Sequence, residues 1–129
     1  MENEIIYKKR FFLNWLPRIR AALRKLSFPD GAMREATNRK NPITCVAFCK
    51  NIPIGWAIIS KANNRFFARG TISVYVKENF RRKGIGSVLI NKINNKTAKR
   101  VIAYDKQSFC FWSKIYKPLI LIKSGNINV

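Results

Sequence analysis

Residues 76–90 read VKENFRRKGIGSVLI, and the residue types gathered there suit the holding of a small anion. Arg81, Arg82 and Lys83 bring three consecutive positive charges. Gly84 and Gly86 follow; without a Cβ they let backbone approach a ligand closely and enter left-handed torsions. Ser87 adds a hydroxyl in the first turn of an amphipathic helix. A helix start leaves about four backbone N–H groups without internal acceptors and carries partial positive charge. Phosphates settle there readily. A strand, a basic turn, two glycines and a helix together make the parts of a pyrophosphate cradle. The stretch is no nucleotide P-loop, which needs a longer glycine loop ending in Gly-Lys-Ser/Thr. It also lacks the three-glycine spacing and ribose carboxylate of a dinucleotide site.

Few other residues are equipped for chemistry. The chain has no histidine, which removes the commonest proton carrier near neutrality. Its six acids are Glu2, Glu4, Asp30, Glu35, Glu78 and Asp105. Cys45, Cys49 and Cys110 form neither a disulfide framework nor, with no histidine, a zinc set, so free thiols in a reducing compartment and no metal are expected. The start of the chain shows no basic, apolar leader, and no run approaches the ~20 apolar residues of a membrane span. A cytoplasmic protein is expected.

These residues have to be positioned by a small fold. The 129 residues are 47% apolar and 12% aromatic, enough for one globular domain over 1–129. Residues 5–27 space their apolar positions helically, with Pro17 kinking that helix or starting a second, and a short basic helix is expected near 31–39. "ITCVAFCK" and "IGWAIIS" predict a hairpin, and "RGTISVYVK" the strand that feeds the basic turn. After the helix come a strand in "KRVIAYD", a short helix in "KQSFCFWSKIYK" and a last strand in "PLILIK". The expected class is α/β (α+β), a mixed sheet with helices packed on it.

The strand, the turn and the helix together resemble the acetyl-CoA motif of the GNAT N-acetyltransferases, V-x-P-E-Y-R-G-K-G-I-G. Val76, Glu78, Phe80, Arg81, Lys83, Gly84, Ile85 and Gly86 stand at matching or similar positions, while Lys77, Asn79 and Arg82 depart from it. A looser likeness runs over residues 43–117. The resemblance implies a mostly antiparallel sheet and acetyl-CoA, or another acyl-CoA, as cosubstrate. Backbone around Val74 and Val76 would then pair with the pantetheine arm. N–H groups from Arg82 to Ser87, including those of Lys83, Gly84, Ile85 and Gly86, would take the pyrophosphate, with Arg81 and Lys83 assisting. Family members often carry a Tyr on the last helix that protonates the leaving thiolate; here Trp112 falls at that place, and indole cannot do this. Tyr116, one turn later, and Ser108 are the substitutes, with Ser113 and Tyr104 behind them. Asp105 is the candidate base, beside Glu78, Asp30 and Glu35.

The charge bears on the acceptor. There are 26 Lys plus Arg against 6 acids, a net +20, and eleven of the cations are arginines. That field attracts nucleic acid, anionic membrane or polyanionic cofactors. The resemblance puts Arg18, Arg20, Arg24, Lys25, Arg34 and Arg39 on the acceptor side, with Arg10 and Lys40. Such a lining repels polyamines and aminoglycosides and favours an amine on, or associated with, nucleic acid, such as a DNA base or aminoacyl-tRNA. A protein lysine or N-terminal acetyltransferase, and an inactive basic nucleic-acid-binding module, stay open beside it. The short final segment leaves room for a homodimer in which a partner subunit completes the sheet.

Overall fold

The computed structural model describes residues 4–26, 32–61, 63, 69–93, 100–103 and 120–123. The chain runs β1 (Ile5–Phe11), α1 (Pro17–Lys25), α2 (Ala32–Thr37), β2 (Ile43–Cys49), β3 (Ile52–Ile59), β4 (Thr71–Val76), α3 (Ile85–Lys92), β5 (Arg100–Ala103) and β6 (Ile120–Lys123). The six strands form one sheet in sequence order. The first four are antiparallel to their neighbours, and β5 and β6 join in parallel. The expected helix at 106–117 lies outside the described residues.

One expectation is corrected. Residues 5–11 are a strand, not the start of a long helix. β1 pairs along its whole length with β2, from Ile5 opposite Cys49 to Phe11 opposite Ile43. Seven residues of ladder outweigh a weak helical pattern. The helical stripe is real only from Pro17 on, where the proline occupies the first helical turn and its missing N–H costs nothing. The β2–β3 hairpin turns on Lys50 and Asn51, both at positive φ (51° and 67°), the mirror-image turn that matches strand twist.

β2 and β3 are buried on both faces, which is why they read as nearly unbroken apolar runs. One face packs Val46, Phe48, Trp56 and Ile58 against Phe12 and Trp15 of the β1–α1 connection, Leu23 of α1, and Met33 and Ala36 of α2. The other packs Cys45, Ala47 and Ala57 against Ile85, Leu89 and Ile93 of the α3 segment. Small residues on this second face let α3 lie close. At Gly55 a Cβ would stand 2.9 Å from the Tyr75 carbonyl oxygen and 3.4 Å from Leu89 Cδ1, so glycine is required by space.

Candidate functional site

The sheet opens beneath the start of α3. β4 and β5 pair only at Thr71 with Arg100 and Ile72 with Val101. β5 then continues beside β6 through Ile102 and Ala103. Beyond Ile72, β4 has no ladder partner on that side among the described residues. On its other side Ser60 N–H donates to Thr71 O (2.9 Å) and Lys77 N–H to Ile54 O (2.8 Å), so the odd-numbered residues of β4 turn their backbone groups toward β3. By alternation the groups of Val74 and Val76 point into the opening. One of them is taken: Arg81 Nε donates to Val76 O at 2.7 Å.

A tight loop leads from this edge to the helix. Phe80 N–H bonds Lys77 O (2.8 Å) and Arg81 N–H bonds Glu78 O (3.1 Å), forming a single 3-10 turn over Glu78–Phe80. Arg82 (φ 64°) and Gly84 (φ 80°) are then left-handed. Left- and right-handed residues in succession turn backbone N–H groups into one concavity, the geometry of an anion nest. Val88 N–H closes the first helical bond on Gly84 O at 3.1 Å. The N–H groups of Ile85, Gly86 and Ser87 therefore have no intrahelical acceptor. A Cβ at Gly84 would meet nothing within 4 Å, so space above the helix start is open. Ile85 and Leu89 are buried and fix the helix to the sheet.

The cations here divide by role. The Arg81 guanidinium lies 5.5 Å from the Tyr75 ring centroid while its Nε holds the strand end, so it braces the loop. Lys83 lies 5.8 Å from the Phe80 ring, and Arg82, Lys83 and Gly84 are exposed at the mouth of the nest. Tyr75 went unnoticed as a site residue in the sequence. It faces away from α3, stacks on Trp56 at 6.2 Å, and stands beside the opening. Trp56 in turn donates its indole N–H to Leu26 O, past the end of α1. Strand alternation from Val74 and Val76 was the available signal.

The acceptor-side cations also divide. Arg18, Lys25, Arg34 and Arg39 are exposed. Arg20 instead donates to Leu13 O (3.0 Å) and Trp15 O (2.9 Å), tying the β1–α1 connection to α1. Arg24 lies 5.1 Å from the Phe12 ring, with its Nε buried and unpartnered. Among the candidate proton carriers, Glu78 is exposed on the loop and Glu35 falls on α2. Tyr116, Asp105 and Ser108, together with Tyr104, Trp112 and Asp30, lie outside the described residues.

An open-edged strand under a helix N-terminus lined by glycine is the arrangement of a protein that binds an extended, pyrophosphate-bearing carrier. Known proteins agree. The model of the acetyltransferase (GNAT) family matches residues 10–106, and the chain belongs to that family of acetyl-CoA-dependent N-acetyltransferases. No relative among the curated proteins matches the sequence. An aminoglycoside acetyltransferase from an uncultured soil metagenomic sample, solved with trehalose, is similar in structure. Its TM-score is 0.57 at 19% identity, covering 88% of each chain, which shows a shared fold. A GNAT-family acetyltransferase from Streptococcus pneumoniae aligns with TM-score 0.49 at 17% identity, covering 76% of this chain and 72% of the other. A ribosomal-protein-alanine N-acetyltransferase from Brucella melitensis biovar Abortus 2308 aligns with TM-score 0.45 at 16% identity, covering 95% of this chain and 81% of the other.

The site fits the family's cosubstrate. N–H groups without intrahelical acceptors, a position without a Cβ under open space and a strand edge with no ladder partner among the described residues are what a pyrophosphate and an amide-bearing arm require.

Proposed function

We propose that this chain acts as one acyltransferase domain whose acceptor amine is carried on, or held by, nucleic acid. Acetyl-CoA supplies the activated thioester. In this reading the N–H groups of Ile85, Gly86 and Ser87 bind the pyrophosphate, and Arg82 and Lys83 add charge at the mouth. The Val74 carbonyl and the N–H groups of Val74 and Val76 hold the pantetheine amides. Such holding orients the thioester for direct attack, and positioning accounts for much of the rate a site without histidine can give. Tyr116, Asp105 and Ser108 remain the proposed proton carriers. The carrying observation is the parting of β4 from β5 directly below the glycine-lined helix start.

The acceptor class rests on charge. Between Ile5 and Arg34 the sequence has one acid, Asp30, and six cations besides Arg20 and Arg24. Arg18, Lys25, Arg34 and Arg39 are exposed along α1, α2 and the turn that follows. A polycationic acceptor is repelled there, while a polyanion gains from counterion release on each phosphate contact.

The test is transfer of labelled acetyl groups from acetyl-CoA to a cell extract, split and treated with nuclease or protease. The expected label is lost with nuclease. Label lost with protease alone makes the chain a protein acetyltransferase. Binding of acetyl-CoA without any transfer leaves a basic binding module.

A further inference from the structure

The β1–α1 connection carries an anomaly that acyl transfer does not use. Five large apolar side chains are conspicuously exposed among the described residues, and three fall within six residues: Phe11 (44%), Leu13 (56%) and Leu16 (56%). Their neighbours Phe12 and Trp15 are buried, so the segment turns two rings inward and leaves these three side chains outside. It is also held rigidly. Phe12 N–H bonds Pro42 O at 2.9 Å, Leu13 N–H bonds Asn41 Oδ1 at 2.7 Å, and Arg20 grips the carbonyls of Leu13 and Trp15. The three side chains thus form a fixed ledge, not a loose loop.

Its surroundings carry one sign of charge. Arg10 adjoins Phe11 in the strand and lies 5.1 Å from the Trp15 ring. Arg18 opens α1 two residues after Leu16, and Arg39 and Lys40 precede the Asn41 that holds Leu13; all four are exposed. From Ile5 to Leu26 the sequence contains no acid.

We propose that this ledge docks the protein on an anionic lipid surface, with Phe11, Leu13 and Leu16 entering the headgroup–acyl boundary and Arg10 and Lys40 meeting lipid phosphates beside the acceptor-side Arg18 and Arg39. Apolar insertion combined with a basic rim is the pairing that gives stable peripheral attachment, since neither alone suffices. A second copy is a poor occupant because it brings the same like-signed rim at a net charge of +20. Nucleic acid uses cations and stacking rings, and here two of the three exposed groups are aliphatic. Among the described residues no helix is long and apolar enough to cross a membrane, so the attachment is to the surface.

The experiment is co-sedimentation of the full chain with vesicles of phosphatidylcholine alone or with about one-third phosphatidylglycerol, at moderate salt. The chain is expected to partition onto the anionic vesicles and at least about tenfold less onto neutral ones. L13N/L16N leaves the charge unchanged and is expected to lose about tenfold or more of that partitioning. L13W is expected to strengthen it, because indole favours the interface. Both variants sit at exposed positions, and unchanged thermal unfolding and acetyl-CoA binding verify that they fold. Three results overturn the proposal. One is equal binding of L13N/L16N to anionic vesicles, which leaves charge alone. Another is a wild-type dimer in light scattering that L13N/L16N converts to monomer. The third is failure to bind vesicles while an oligonucleotide binds and L13N/L16N weakens it.

Discussion

Two positively charged regions of this molecule look alike in sequence and differ in construction. Around Arg81–Ser87 the proposed cradle is made by backbone: left-handed residues at Arg82 and Gly84, and N–H groups at the start of α3 that have no intrahelical acceptor. Arg81 serves mainly to hold that backbone in shape through Val76 O. Along α1 there is no such backbone device. There the side chains do everything, and two of the arginines are committed to the fold: Arg20 to two carbonyls and Arg24 to the Phe12 ring. A ligand site built of backbone tolerates changes of charge better than changes of shape. A site built of exposed side chains behaves in the opposite way.

That contrast can be broken in several places. The largest stability effect is expected beneath the cradle: Leu89→Ala should cost about 2–5 kcal/mol in urea unfolding, because Leu89 is fully buried and joins α3 to the sheet. Gly55→Ala should cost about 1–3 kcal/mol, since its Cβ would press on the Tyr75 carbonyl oxygen 2.9 Å away, and acetyl-CoA affinity should fall with it. Arg20→Ala should lose about 1.5–3 kcal/mol by leaving two carbonyls short of a charged donor. Exposed Arg18→Ala should leave stability within about 0.5 kcal/mol of wild type and lower the salt slope of polyanion binding by nearly one unit. If Arg20→Ala unfolds like wild type while Arg18→Ala does not, the division of arginines into structural and free is wrong.

The smallest effect is in the pH dependence. Burial pushes the Cys45 thiol above its ordinary 9.0, against the pull of Lys92 and Lys9, so the folded state holds its proton more tightly than the unfolded chain. The resulting stability is fully present below about pH 9 and is lost as pH rises from there through the higher folded value. Thermal unfolding across pH 8–10.5 should fall less steeply for Cys45→Val than for wild type.

How much of this was legible in the sequence follows from the same contrast. The cradle was readable because its constraints are local: glycines, a helix start and a strand end lie within a dozen consecutive residues. Five of the six strands were read from the same short-range signals, from the hairpin to the last strand. Residues 5–11 misled, because a ladder with residues 43–49 is a long-range fact and the local stripe from Phe11 to Leu26 was extended backward across them. The structural role of Arg20 was invisible for a related reason: its acceptors are carbonyls, which any residue supplies. Tyr75 could have been found by alternation, since its neighbours Val74 and Val76 were already assigned to the opening edge.

The central claim is that the start of α3 is a backbone-made pyrophosphate site. The most direct test is calorimetric titration of CoA into wild type, Gly86→Glu and Gly84→Glu at moderate salt, with thermal unfolding of each variant alongside. Gly86→Glu is the cleaner change, because Gly84 sits at φ 80° and any side chain there is also strained. Saturable binding by wild type, reduced about 100-fold or more in Gly86→Glu with the fold intact, is the predicted result. Equal binding by a folded Gly86→Glu, or no binding by wild type, would contradict it.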